Sequence, residues 1–235
     1  MKRLETTSLY SVTQSLVSTR ITGIAGLLVL VTGSFSQYTK SAVIDTSDLA
    51  FTIEKIAASH GLFLTGIFSA LLMTVCFIFY VNRLYQLFKN TNATTARLML
   101  LLAIVPMPIL LVNQISLYAV SYWAVLHDLK LMAFFLDIYK QGGLFIALFF
   151  GLWLIPLGLL TVRSFYFPNF LGYLLILGSS GYVVLSVRGF FVEQSVVSIW
   201  QGSLLLITHI SELLFMLRLF FYGEPAAISE EANAS

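Results

Sequence analysis

Charge is what this sequence has least of. Asp, Glu, Lys and Arg make up 10% of its 235 residues, where a water-soluble domain carries about a quarter. Hydrophobic residues reach 58% and the mean hydropathy is +0.90, which excludes a soluble globular protein and places the chain in a lipid bilayer. The net charge of +2 is spread thinly, with no basic run and no interleaving of basic and aromatic residues, so nucleic acid is excluded as a partner. Cys76 is the only cysteine, so no internal disulfide can form and the residue is read as packing. The histidines are His60, His127 and His209; there is no H-E-x-x-H pair for a metal and no G-x-S-x-G nucleophile elbow. No metal or cofactor is therefore expected. A cleaved secretory signal is also unsupported, because about twenty mostly polar residues precede the first apolar run and no small-residue cleavage site follows it.

What the sequence does have is apolar runs of bilayer length. A helix needs about 20 such residues to cross the hydrocarbon core, and six runs qualify, at residues 21–38, 62–85, 98–120, 142–162, 170–187 and 199–221. Little chain is left between them. The expected fold is all-α: a polytopic membrane helix bundle, a single integral membrane domain over residues 1–235, with six transmembrane helices and short interfacial helices. Cytoplasmic segments hold an excess of Lys and Arg. Placing the N-terminus, the second and fourth connections and the C-terminus on one side gives it eight basic residues: Lys2, Arg3, Arg20, Arg83, Lys89, Arg97, Arg163 and Arg218. The other side receives five, Lys40, Lys55, Lys130, Lys140 and Arg188, and all four aspartates. Both termini are thus expected in the cytoplasm and the protein in the inner or plasma membrane, with the inverted topology as the alternative. Asn92-Ala93-Thr94 matches a glycosylation acceptor, but it falls in a cytoplasmic connection and is set aside.

Three segments have the pattern of interfacial helices. After the first span, Ser47 is placed to cap a short helix with Asp48 in its first turn, and Leu49, Ile53 and Ile56 then share one face. Residues 122–139 mix Trp123, Leu126, Leu129 and Phe134 with His127, Asp128 and Lys130, a composition that suits the headgroup region. Residues 4–17 carry Leu9, Val12 and Leu16 at helical spacing. Within the spans, Pro106, Pro108 and Pro156 predict kinks. Gly66 and Ala70, and Gly178 and Gly181 with Ser179 and Ser180, suit close approach between helices.

One carboxylate stands inside a span. Glu212 lies about a turn from His209, and a carboxylate at bilayer depth is costly enough that it is seldom kept without a partner or a role. At 100° per residue, Gln201, Thr208 and Glu212 fall within about 20° of one line, flanked by His209 and Ser211. With Trp200 at the interface, His209 sits roughly 14 Å and Glu212 roughly 18 Å into a core about 30 Å thick. That face must turn away from lipid. Its expected neighbours are Ser179 and Ser180 on the fifth span and Asn113 and Gln114 on the third.

The C-terminal half carries a pattern of apolar helix with Gly158, an Arg163-Ser164 turn, Pro168, Leu171-Gly172 and Gly181-Tyr182. It resembles the core of a mainly bacterial membrane family, domain of unknown function 4386. The segment ASHGLFLTG at 58–66, RITGI from Arg20 and the glutamate of the last span fit the same layout, so the resemblance covers nearly the whole chain. It implies six membrane helices and supplies no activity. Where that family often has a histidine, this chain has Tyr139, which argues against a histidine-based site at the outer end of the fourth span.

Three functional readings follow from the polar face. In the first the protein is a membrane-embedded binding or accessory protein with a polar centre around Glu212. Its partners are the lipid bilayer, a small-molecule or lipid ligand, or another membrane protein. In the second, Glu212 and His209 exchange protons in a proton-coupled transporter of a small solute. The third, an intramembrane metal-dependent enzyme, needs three or four converging ligands, whereas His60 and His127 lie near the outer surface. Asp137, Arg188 and Glu193 at that surface are read as solvated helix ends.

Overall fold

Hydrocarbon offers backbone amides no water, so an apolar run that crosses it must satisfy its own N–H and C=O groups as helix. A computed structural model describes residues 2–45, 48–164, 166–191 and 199–222, with side chains throughout these except at 2–18, 199–201 and 222. Among the described residues the regular structure is entirely helical: α1 (Lys2–Val43), α2 (Leu49–Ala58), α3 (His60–Phe88), α4 (Ala93–Ile104), α5 (Pro106–Val125), α6 (Leu129–Arg163), α7 (Asn169–Phe191) and α8 (Ile199–Tyr222). Six stretches are long and apolar enough to cross a membrane: Thr19–Val43, His60–Phe88, Ala93–Val125, Leu129–Arg163, Asn169–Phe191 and Gly202–Phe221. The six expected spans match them one for one. Most extend past the apolar run, because the helical backbone continues into the polar residues at its ends.

The spans close into a ring in sequence order. Span α1 packs on α3, α3 on α4 and α5, these on α6, α6 on α7, α7 on α8, and α8 returns to α1. Aromatic side chains fill the interior. Phe77 of α3 meets Phe150 and Trp153 of α6 edge-on, with ring centroids 5.4 Å apart in both pairs. Two apolar clusters result. One, with Phe88, Ala96, Phe167 and Phe215, runs from the arginine-rich end of the ring toward its middle. The other, with Val43, Ile56, Phe63, Leu117 and Met132, plugs the opposite end.

The third and fourth spans show how sequence sets local geometry. Pro106 has no amide proton for an i→i−4 bond, and the third span divides there into α4 and α5. Pro156 sits inside α6, which continues through it. The interfacial helix α2 forms as expected and lies across the end of the ring against α1, α3 and α5. Ser47 lies outside the described residues. The cap is Asp48, whose carboxylate accepts from the Phe51 amide at 2.9 Å. Ile56 is fully buried, and Leu49 and Ile53 pack on the same cluster.

Residues 122–139 do not make an interfacial helix. They are the end of α5, a tight turn and the start of α6. His127 takes a left-handed φ of 55°, and Asp128 caps α6 by accepting from the amides of Lys130 and Leu131, each at 3.1 Å. The polar cluster that suggested a headgroup-level segment is turn and cap chemistry. Residues 4–17 belong to the N-terminal extension of α1, and their side chains are outside the described set. At the other end, the Arg163-Ser164 turn is held from α8. Arg218 donates to the Tyr166 carbonyl at 3.1 Å, and Ser164 accepts from the Tyr166 amide at 3.2 Å.

Glycines set the helix separations. A Cβ on Gly158 would stand 2.6 Å from the Gly172 carbonyl oxygen, and one on Gly172 equally close to that of Gly158; α6 and α7 touch backbone to backbone. Gly158→Val should therefore lower stability by roughly 1–3 kcal/mol, read as an earlier thermal transition in detergent. Gly143→Ala, where a Cβ meets open space, should leave that transition unchanged or raise it. Equal behaviour of the two variants would contradict the seam.

Candidate functional site

The α7–α8 seam holds most of the polar residues singled out in the last span. Gly178 and Gly181 let α8 approach. A Cβ at 178 would lie 3.1 Å from Thr208 Cα, and one at 181 would lie 2.8 Å from the Leu204 carbonyl oxygen. Thr208 and Ser211 are fully buried there. Thr208 donates across the seam to the Gly178 carbonyl, with Leu204 as a second acceptor in its own helix. Ser211 donates to the Thr208 carbonyl at 2.7 Å. Ser179, buried, and Ser180, half-buried, return their hydroxyls to Ile176 and Leu177 in α7. These four hydroxyls are spent on backbone carbonyls, which is how lipid-embedded helices commonly dispose of them.

Glu212 stands beside this group, half-buried. Its Oε2 accepts from the Tyr182 hydroxyl of α7 at 3.4 Å, a long and hence weak bond. The Tyr182 ring also meets His209 edge-on at 5.9 Å and Phe150 at 6.1 Å. His209 Nδ1 is 2.6 Å from the Leu205 carbonyl oxygen. A carbonyl only accepts, so Nδ1 carries the proton there and Nε2 of a neutral ring is left as an acceptor. His209 is exposed, next to the outward-facing Leu206 and Ile210. The carboxyl and phenol are joined by a hydrogen bond, and the imidazole touches the phenol ring from the outer side.

The expected neighbours on the third span lie elsewhere. Asn113 and Gln114 are buried in α5, which packs on α6, α3 and α2. Asn113 donates to the Tyr139 carbonyl at 3.0 Å, and Gln114 donates to Leu110 in its own helix at 3.4 Å. The two polar groups thus occupy different seams. The side chain of Gln201 lies outside the described residues. Among the described residues, no three of His, Cys, Asp and Glu come together in a way that would hold a metal ion.

Sequence reasoning did not find Tyr182 as the partner of Glu212. Angular position along one helix shows which face is polar, but not which residue of the next helix meets it. A usable signal was present in Gly181-Tyr182: the glycine that admits α8 precedes the phenol that meets the carboxyl.

Fold and seam together define a multi-pass membrane protein built from six spanning helices. A family model, Domain of unknown function (DUF4386), matches residues 21–223, and the chain belongs to that family. No curated protein and no solved structure matches it.

The geometry ranks the seam bonds. Thr208→Val, which keeps shape and removes the donor to Gly178, should cost about 1 kcal/mol. Tyr182→Phe, which gives up a 3.4 Å bond, should cost less. Chemical denaturation of the two variants in mixed micelles measures both, and the reverse order would contradict the assignment.

Proposed function

We propose that the protein is a membrane-embedded binding or accessory protein of the bacterial inner, or plasma, membrane, whose working group is Glu212. The observation that carries this reading is the carboxyl's position. It sits deep in a spanning helix, half-buried, with one long bond from Tyr182 and capacity for further hydrogen bonds on both oxygens. A carboxyl kept solely to tie two helices together would be expected to make a shorter bond. The exposed imidazole of His209 supports a protein or lipid partner, since a polar ring at bilayer depth on an outer face is costly unless something covers it. The excess of basic residues at the end of the ring that carries Arg20, Arg83, Arg97, Arg163 and Arg218 supports cytoplasmic termini.

The runner-up is a proton-coupled transporter of a small solute. It draws on the nearness of Glu212, Tyr182 and His209, the first two joined by a hydrogen bond and the last two in ring contact, and on the titration range of histidine. The two readings separate on Glu212→Gln. Under the binding reading, mass spectrometry of protein purified in native lipid shows a stoichiometric small molecule, lipid or protein partner that the variant loses while melting normally. Under the transport reading, proteoliposomes of the wild type show pH-driven flux that the variant abolishes. A wild type that carries nothing and moves nothing, with a variant equally stable, would overturn both.

A further inference from the structure

Between the two apolar clusters three spans bring polar residues to one level. On α1, Ser36 and Lys40 fall between Leu30 of one cluster and Val43 of the other. On α5, Asn113 and Gln114 fall between Met107 and Leu117. On α6, Tyr139 and Gly142 lie between Leu136 and Phe150. Five spans follow α1 before the ring returns to it, and α6, the third of them, is not a neighbour of α1. Yet the Lys40 ammonium lies over the Tyr139 ring, 5.7 Å from its centroid. That contact crosses the interior.

The groups at this level are incompletely satisfied. Lys40 is 9% exposed, and its ammonium lies against the Tyr139 ring. A lysine three residues from a helix end ordinarily extends its charge to the headgroups; this one turns inward. Asn113 engages the same tyrosine from α5, donating Nδ2 to the Tyr139 carbonyl at 3.0 Å. Because a carbonyl can only accept, the amide orientation is fixed and Oδ1 is left as the free end. Asn113 Oδ1 and Ser36 Oγ are both buried and without a hydrogen-bond partner, on residues 3% and 2% exposed. Ser36 precedes Lys40 by four residues, so the two share a face of α1. Buried polar atoms of this kind are ordinarily matched by water or by a ligand.

The demands are specific. Lys40 asks for an acceptor that carries negative charge, while Asn113 Oδ1 asks for a donor, and both residues engage Tyr139, one at its ring and the other at its carbonyl. A halide meets the first demand only. We propose that Lys40, Ser36, Asn113 and Tyr139 form an intramembrane binding site for a small oxyacid anion that keeps an O–H beside its charge: a hydroxycarboxylate or a singly charged phosphate. The phosphate is either free or the headgroup of a lipid. The site is separate from the α7–α8 seam and does not depend on the role given to Glu212.

The test is thermal unfolding of the full-length protein in detergent, titrated with sodium lactate, inorganic phosphate at pH 6, dioleoyl phosphatidic acid and, as control, sodium chloride. At least one oxyacid should raise the melting temperature by about 2 °C or more. The shift should vanish in Lys40→Met and need roughly tenfold more ligand in Ser36→Ala. Protection by lactate or free phosphate identifies a soluble ligand, and protection by phosphatidic acid alone identifies a headgroup. Native mass spectrometry of the same samples, which does not depend on the variants' stability, should show the bound mass in wild type and not in Lys40→Met. No shift with any oxyacid, an equal shift with chloride, or a shift that survives Lys40→Met would overturn the site.

Discussion

In hydrocarbon, helices gain nothing by hiding apolar side chains from one another, so the closeness of their backbones decides whether they associate. Glycine supplies that closeness at successive seams of this ring: Gly158 against Gly172 between α6 and α7, Gly178 and Gly181 under α8, and Gly23 of α1 against the Phe220 backbone. The last contact closes the circle. A Cβ on Gly23 would lie 2.7 Å from Phe220 Cα, so α8 can reach α1 only because position 23 has no side chain. Everything inside the ring depends on that closure, including the meeting of Gly26, Tyr80 and Met216 where α1, α3 and α8 converge.

Closure alone would leave a pore, and aromatic side chains prevent one. Phe77, Phe150, Trp153 and Tyr182 meet across the interior at centroid distances of 5.4 to 6.1 Å, while the second cluster and α2 seal the opposite end. Polar groups gather at two places of note among the described residues. One is the α7–α8 seam, where hydroxyls serve backbone carbonyls and the Glu212 carboxyl is only loosely held. The other is the level between the clusters, where Lys40 and Asn113 meet on Tyr139. Function in a bundle of this kind is carried by the few polar side chains that its packing does not consume.

The spans were legible in the sequence because hydropathy and length report directly on the bilayer. The break at Pro106 was legible because a missing amide proton has one consequence in a helix. Residues 122–139 misled because aromatic and charged residues look alike whether they lie along a membrane surface or form a turn with a capped helix start. Here His127 and Asp128 build the turn. The polar face of α8 was visible by angle, and Thr208 and Ser211 are buried as that angle requires. The partner helices were not visible. Which span meets which is set by glycine positions on both partners, and Asn113 faces α6, not α8, for that reason: a Cβ on Gly142 would occupy the place of its amide. Lys40 escaped notice because a lysine near a helix end ordinarily belongs to the headgroups.

The closure of α8 onto α1 is the claim on which the rest stands, and cysteine cross-linking tests it most directly. With Cys76→Ala as background, Gly26→Cys paired with Met216→Cys should form a disulfide in native membranes under mild oxidation. Gly26→Cys paired with Ile115→Cys, on the outward face of α5, should not. Cross-linking confined to the first pair is the predicted result. A first pair that stays reduced in a protein that is otherwise folded would contradict the ring.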